Sequence, residues 1–259
     1  MKNAFDSQLH QDIEALKKAG TYKALKHLDG PMDAHAQMRE AGGDVLVMSS
    51  NNYLGLSNHP HVIKKSHKAL EQYGAGTASV RFICGTMSIH EQLEQQLADF
   101  HKTEAALTYS SCWAANTGLL PVICQPGGVL ISDELNHASI IDGARLVSKQ
   151  VTREIYKHSS MEHLEELLLK HVDAINKFIV TDGVFSMEGD LANLPKIVEL
   201  ANRHKATVIV DDSHGVGVMG KHGHGVAEHF GVEEHIDIYT GTLGKSLGGA
   251  AGGYVAGRQ

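Results

Sequence analysis

One lysine near the end of the chain lies in a setting suited to covalent chemistry. Lys245 follows a short apolar run, residues 236–239, whose pattern predicts a buried strand, and glycines lie on both sides of it. Glycines let the backbone approach a ligand closely, and a lysine in a dry pocket loses its proton more readily than one in water. The Lys245 amine is therefore a candidate nucleophile for a carbonyl, as in a Schiff base with an aldehyde cofactor.

Three other interpretations of this glycine-rich chain compete with that one. A Walker phosphate loop requires glycine five positions before Gly244, where Tyr239 stands, so this motif is excluded. Residues 215–220 match GxGxxG, but four residues separate them from the predicted strand and no apolar helix follows, which disfavours a nicotinamide site. An ordinary surface lysine is the simplest interpretation of an isolated Gly-Lys pair. Polar residues elsewhere in the chain are needed to distinguish these interpretations of Lys245.

Strands alternate with helices from residue 105 onward. Apolar runs at 105–109, 129–132, 151–156, 178–181, 207–210 and 236–239 predict strands, and the segments between them have helical patterns. This alternation predicts an α/β fold with a mostly parallel central sheet flanked by helices. Ligands of such sheets bind beyond the carboxyl ends of the strands. The polar residues that follow these ends, and that we expect to converge, are Ser111, His137, Ser186, Asp211, His214, Thr242 and Lys245.

This set of residues suits pyridoxal phosphate (PLP). A carboxylate beside the pyridine nitrogen keeps it protonated, and Asp211 is the candidate. His137 is flat enough to stack on the ring, and His214 or Ser186 could bond the ring oxygen. Each has a simpler alternative, because an aspartate can cap a turn and a histidine can begin a helix.

The phosphate of such a cofactor would lie at a predicted helix start. Ser111 follows a strand and precedes an apolar helical run, and free N–H groups at helix N-termini attract anions. The candidates for the phosphate are Ser111, Thr242 and the backbone around Cys112 and Trp113. Trp113 could instead be a core residue.

Composition limits the class of protein. The 259 residues carry a formal net charge of −7, which argues against nucleic acid or an anionic membrane as a partner. The sequence has no apolar run of about 18 residues, the length of a membrane span. Three cysteines without a CxxC pair favour a reduced, cytoplasmic setting, and we expect no metal site. We predict an N-terminal helical segment at 1–45 and a large α/β domain at 46–259.

At these residues the sequence resembles the α-oxoamine synthases, which are fold-type I PLP-dependent transferases, and most of all their glycine C-acetyltransferase branch. The stretches that carry the resemblance are residues 50–56, 79–86, 135–143, 181–187, 210–215 and 240–245.

The resemblance implies a role for each matched residue. Lys245 would attach PLP covalently and then act as the base, with Asp211 at the pyridine nitrogen. His137 would stack on the ring and His214 would bond its phenolic oxygen, while Asn52 and Ser186 would lie near the substrate. The matched residues of the phosphate region are Ser111, Cys112, Trp113 and Thr242.

The reaction implied by the resemblance condenses glycine with acetyl-CoA to 2-amino-3-oxobutyrate, in a homodimer. The alternatives are the sister reactions that make 8-amino-7-oxononanoate, 5-aminolevulinate or sphingoid bases, a non-catalytic subunit, and a plain phosphate-binding module. The presence of Lys245 argues against a non-catalytic subunit. Family members continue past the lysine into a C-terminal small domain, so we expect that domain to be missing and this chain to have little activity by itself.

Overall fold

The computed structural model describes residues 3–249 and 251–259, in two units that meet between Met48 and Ser49. In the first unit, α1 (Ala4–Lys18) begins after Asn3, whose side-chain oxygen accepts a hydrogen bond from the Asp6 N–H at 2.8 Å. Strands β1 (His35–Met38) and β2 (Gly43–Leu46) then form an antiparallel pair. The predicted division at residues 45 and 46 stays a prediction.

The second unit is built on a central sheet, which has seven strands in the part of the chain that the structure describes. The strands are β3 (Ala105–Tyr109), β4 (Val129–Asp133), β5 (Thr152–Tyr156), β6 (Lys177–Asp182), β7 (Thr207–Asp211), β8 (Ile238–Thr242) and β9 (Gly253–Gly257). Their spatial order is β3-β9-β8-β7-β6-β4-β5. Strand β9 is antiparallel to β3 and β8, and the other described neighbours pair in parallel, so the predicted, mostly parallel sheet is confirmed.

Helices connect and cover these strands. They are α2 (Pro60–Tyr73), α3 (Ser88–His101), α4 (Cys112–Ile123), α5 (Ala138–Leu146), α6 (Met161–Lys170), α7 (Leu194–His204) and the short α8 (Val226–Phe230). Among the described residues, no helix combines the length and the apolar character needed to cross a membrane.

The core lies on both faces of the sheet. Val129 and Ile131 of β4 pack in the same apolar cluster as residues of α6 and α7, whereas Leu130 packs on the opposite face with Leu120 of α4 and Ile140 of α5. Because both faces of a parallel sheet are covered by helices, its central strands are apolar without alternation. This burial explains why the short runs in the sequence identified the strands.

The starts of two elements are not evident from the sequence. Ser88 is the first residue of α3, and the cap position is Met87, whose N–H donates to the His90 ring at 3.0 Å. Strand β8 begins at Ile238 and extends to Thr242, later than the apolar run predicts. Polar Thr240 lies fully buried in this strand, and such a residue leaves no hydrophobic signal in the sequence.

The loop that follows β6 is tied to the end of β4 by one histidine. The His158 Nδ1 atom lies 2.9 Å from an oxygen of Asp133, and its Nε2 atom lies 2.9 Å from an oxygen of Asp190. Both ring nitrogens can donate only when the imidazole is protonated. Burial lowers the pKa of His158, but its hydrogen bonds and attraction to the two carboxylates outweigh burial, so the net pKa is raised.

We expect this tether to be sensitive to pH. A histidine whose pKa is raised by folding stabilises the protein fully below its unfolded value of about 6.5, and the stabilisation is lost as the pH rises through the raised pKa. The His158→Asn variant should therefore lose more thermal stability, relative to the wild type, at pH 5.5 than at pH 8.5. Thermal unfolding followed by circular dichroism at both pH values measures this, with exposed His61→Asn as the control. An equal loss at both pH values would contradict the prediction.

Candidate active site

A cavity of about 190 Å³ opens at the carboxyl ends of the parallel strands. Strands β6, β7 and β8 end beside it, and the N-termini of α4 and α5 contribute the rest of its wall. The residues that line it are Ser111, Cys112, Trp113, His137, Ser139, Asp182, Asp211, Ser213, His214, Thr242 and Lys245. The structure thus brings together residues that are far apart in the sequence, as the rule for parallel sheets predicts.

Lys245 reaches this cavity from the connection between β8 and β9. Its Nζ atom lies 2.7 Å from the His214 Nε2 atom. Burial lowers the pKa of Lys245, and the nearby carboxylates of Asp211 and Asp182 oppose this shift without cancelling it. A larger fraction of this amine is therefore unprotonated at neutral pH than of a solvated lysine. An unprotonated amine is the form that attacks carbonyls.

Asp211, the last residue of β7, presents a buried carboxylate with both oxygens held in place. One oxygen accepts a hydrogen bond from the Ser213 N–H at 3.0 Å, and the other accepts one from the Asn116 amide at 2.6 Å. The Cys112 thiol lies 3.4 Å from the second oxygen. Because Asp211 is only 4% exposed, its orientation is fixed by protein groups rather than by water.

A second buried carboxyl group, Asp182, ends the neighbouring strand β6 and pairs in register with Asp211. One of its oxygens accepts the His137 N–H at 2.6 Å. Burial, followed by repulsion from Asp211, raises the pKa of Asp182 to about 8. At neutral pH the two carboxyl groups therefore carry fewer than two negative charges, because like charges at close range in a dry site disfavour double ionisation.

His137 is the residue that precedes and caps α5, and it lines the cavity. Its Nδ1 atom accepts a hydrogen bond from the Ser139 N–H at 3.2 Å, which caps the helix. The Trp113 ring meets it edge-on, with centroids 6.0 Å apart and planes at 81°. His137 therefore both caps a helix and lines the cavity.

The N-terminus of α4 forms one end of the cavity. Ser111 caps this 12-residue helix by accepting the Ala114 N–H at 3.1 Å. Strand β9 passes so close that a Cβ atom on Gly253 would lie 2.2 Å from the Cys112 nitrogen, so only glycine fits there. The first-turn N–H groups of α4 are unsatisfied within the helix and favour a phosphate.

These groups together fit PLP. The Ser213 hydroxyl is buried beside the cavity and has no hydrogen bond of ordinary geometry within the described residues. The Cys112 thiol lies near it, but a thiol is a weak hydrogen-bonding group. A polar ligand in the cavity would satisfy it. An amine, a carboxylate and a helix N-terminus around one cavity match the aldehyde, the pyridine nitrogen and the phosphate of that cofactor.

Of three further predicted site residues, Asn52 and Thr242 have local structural roles and Ser186 is exposed. The Asn52 side chain accepts the Ser57 N–H at 3.1 Å, and Ser186 is exposed on the loop after β6; neither is among the cavity-lining residues of the described chain. Thr242 lines the cavity, but its hydroxyl donates to the Gly252 carbonyl at 3.1 Å and so closes the β8–β9 turn. The ligand-binding roles of these residues stay predictions.

Four lining or supporting residues were missed by reasoning from the sequence: Asn116, Ser139, Asp182 and Ser213. Asp182 ends a predicted strand, so the rule that selected Asp211 could have found it. Asn116 and Ser139 lie inside helices α4 and α5, and the Asn116 amide donates to the Ser139 hydroxyl at 2.9 Å. No sequence spacing indicates that contact.

Comparison with protein families identifies the chain more narrowly. Residues 43–259 match the model of class I and II aminotransferases. The 8-amino-7-oxononanoate synthase of Thermoanaerobacter pseudethanolicus is 49% identical over 97% of this chain and 62% of that relative. The enzyme of the same name from Treponema denticola is 44% identical over the whole of this chain and 65% of its own length. The chain thus spans a little under two thirds of these curated relatives.

Solved structures share the fold. A serine palmitoyltransferase from S. paucimobilis, solved with PLP and myriocin bound, superposes with a TM-score of 0.90 at 32% identity, over all of this chain and 65% of that one. The 8-amino-7-oxononanoate synthase of Francisella tularensis superposes with a TM-score of 0.67 at 28% identity, over 81% of this chain and 57% of that one.

These relatives confirm part of the resemblance and correct the rest. The fold-type I transferase fold of PLP-dependent enzymes is confirmed, and so is the resemblance to α-oxoamine synthases, since an 8-amino-7-oxo compound is an α-oxoamine. The expected condensation of glycine with acetyl-CoA is wrong, because the relatives at 44–49% identity are named 8-amino-7-oxononanoate synthases. The chain belongs to the class I and II aminotransferase family.

Proposed function

We propose that this chain binds PLP through Lys245 and forms the catalytic core of an α-oxoamine synthase that makes 8-amino-7-oxononanoate. The observation that carries the proposal is one cavity in which the Lys245 amine and the buried Asp211 carboxylate meet, beside the N-terminus of α4. Strands β7 and β8, which lead to these two residues, are hydrogen-bonded neighbours.

The residues of the cavity divide the work between them. When bound, PLP supplies an electron sink for a carbanion at the substrate Cα atom. Lys245 would hold the cofactor through its amine, and the same amine would take a proton from the substrate Cα atom and return one to it. Asp211, oriented by Asn116, would keep the pyridine nitrogen protonated, and the first turn of α4 would hold the phosphate. His137 would stack on the ring.

The chemistry of the product indicates the two substrates. In 8-amino-7-oxononanoate, carbon 8 carries the amine and carbon 9 is a methyl group. These two carbons correspond to alanine without its carboxylate. Carbons 1 to 7 are a seven-carbon dicarboxylic acyl group, pimeloyl. We therefore infer that L-alanine condenses with a pimeloyl thioester. The new C–C bond joins the alanine Cα to the thioester carbonyl, the C–S bond breaks to release the thiol, and the alanine carboxylate leaves as CO₂.

A second copy of the chain is the proposed protein partner. The loop before α3 exposes three apolar side chains, Val80, Phe82 and Ile83, at 51%, 89% and 71%. Between them, Arg81 forms two hydrogen bonds with Glu94, at 2.9 and 3.0 Å, which hold the loop on α3. An exposed apolar tip on a fixed base is typical of an interaction surface. Exposure of these apolar side chains to water is unfavourable. A contact between the same surfaces of two copies of the chain would cover them.

The attachment of the cofactor can be tested directly. Incubation of the purified chain with PLP, reduction with borohydride and peptide mass spectrometry should find the pyridoxyl group on Lys245, because burial lowers the pKa of this amine. The Lys245→Ala variant should carry no label, and the Lys221→Ala variant, which removes an exposed lysine, should be labelled like the wild type. Label on another lysine in the wild type would contradict the proposal.

Substrate choice separates this proposal from its sister reactions. The PLP-loaded chain should have only low turnover, but that turnover should favour L-alanine with pimeloyl-CoA, which give a nine-carbon amino ketone and CO₂. Glycine with acetyl-CoA should give at least ~100-fold less product, since several methylenes and a carboxylate distinguish the acyl groups. Mass spectrometry of the products, with Lys245→Ala as the control, measures this. Preference for succinyl- or palmitoyl-CoA would assign the chain to another branch.

The proposed dimer surface is also testable. Phe82→Asp should place a charge at the apolar tip and shift the protein toward monomer in sedimentation-velocity experiments. Val172→Asp, which alters an exposed apolar residue outside this loop, should leave the oligomeric state as in the wild type. A wild-type chain that is already monomeric at high concentration, or a Phe82→Asp variant that remains dimeric, would contradict this role of the tip.

A further inference from the structure

A line of hydrogen bonds connects the cavity with the protein surface. The Tyr53 hydroxyl lies 2.7 Å from the His214 Nδ1 atom, and the His214 Nε2 atom lies 2.7 Å from the Lys245 Nζ atom. Tyr53 is 40% exposed and lies in the loop before α2, far in sequence from the other two residues. The imidazole therefore joins an outer phenol to an inner amine.

The imidazole can serve only one of these neighbours as a donor. Burial, followed by repulsion from Lys245, lowers the pKa of His214 to about 4, although the Asp211 carboxylate opposes this shift. At neutral pH His214 therefore carries a single ring proton. If the proton is on Nε2, the ring donates to Lys245 and accepts from Tyr53. If it is on Nδ1, both hydrogen bonds reverse.

Several features favour the proton on Nε2. Burial raises the pKa of Tyr53, so its hydroxyl remains protonated and can donate. The alternative acceptor for that hydroxyl, the Asn51 side-chain oxygen, is farther away at 3.2 Å. A distance of 2.7 Å suits an O–H donor better than an N–H donor, for which about 2.9 Å is usual. Lys245 has a lone pair available to accept when it is unprotonated.

We propose that Tyr53 is a positioning residue, which fixes His214 in the tautomer with its Nε2–H directed at Lys245 and thereby holds the Lys245 amine in its nucleophilic form. This inference rests on the proposed role of Lys245 as the attachment point of the cofactor. The hydrogen bond matters because the carboxyls of Asp182 and Asp211, from β6 and β7, and the Cys112 thiol of α4 all act to raise the pKa of Lys245 and so favour the protonated amine. A donor from His214 favours the neutral amine instead.

The tautomer can be measured without any cofactor. In the ¹⁵N-labelled 259-residue chain, long-range ¹H–¹⁵N correlation spectra at pH 7.5 should show His214 protonated on Nε2 and unprotonated on Nδ1. The Tyr53→Phe variant, which keeps the ring and removes the hydroxyl, should show a mixture of both tautomers. Tyr73→Phe is the matched control, because the Tyr73 hydroxyl contacts Ser88 and not the cavity.

The effect on the amine provides a second measurement. The pH midpoint for labelling Lys245 with a trace amine reagent should rise in Tyr53→Phe by about half to one pH unit, the equivalent of one neutral hydrogen bond. In a His214→Gln background, where the side chain has no tautomers, adding Tyr53→Phe should leave this midpoint unchanged.

Different outcomes overturn different conclusions. A wild-type His214 protonated on Nδ1, an unchanged tautomer in Tyr53→Phe, or an equal shift of the midpoint in the His214→Gln background would each overturn the role of Tyr53. The expected tautomer together with no pyridoxyl group on Lys245 would overturn the proposed function instead.

Discussion

Desolvation of charge at one edge of the sheet is the constraint on which the rest of the site depends. Asp182, Asp211 and Lys245 are ionisable groups largely withdrawn from water, and the Asp211 carboxylate acts to raise the pKa of both Asp182 and Lys245. Burial favours the neutral amine, while the carboxylates favour the charged one. The balance is set by how many hydrogen bonds each carboxylate receives, because a well-bonded carboxylate remains ionised in a dry site. Both oxygens of Asp211 accept hydrogen bonds, from the Ser213 N–H and the Asn116 amide, and one oxygen of Asp182 accepts the His137 N–H.

The topology of the sheet brings these ionisable groups to one place. Neighbouring parallel strands end at the same edge, so β6 and β7 deliver two carboxyl groups side by side, and β8 leads to the lysine. Strand β9 then returns antiparallel between β3 and β8 and presses against the start of α4. Because Gly253 has no Cβ atom, this strand can approach Cys112 closely.

The comparison with relatives shows that the residues that indicate the cofactor do not by themselves indicate the acyl substrate. The motifs near Lys245, Asp211 and His137 surround the proposed cofactor position, and chains named for different acyl substrates share this fold at TM-scores up to 0.90. Identity over nearly the whole chain, at 44–49%, indicated the branch that these local motifs did not. A few residues around a shared cofactor therefore predict the chemistry better than they predict the acyl group.

The sequence by itself predicted six of the seven described strands of the central sheet and the polar residues at their ends, but not β9. Apolar runs located the strands because both faces of this sheet are buried, and the strand-end rule selected Asp211, His214 and Lys245 before their distances were known. Only the tertiary structure decided which polar atoms meet. The bonds of Asn116 to Asp211, and of Tyr53 to His214, join residues 95 and 161 positions apart. Such pairs have no spacing rule, because packing of separate elements, and not local backbone geometry, creates them.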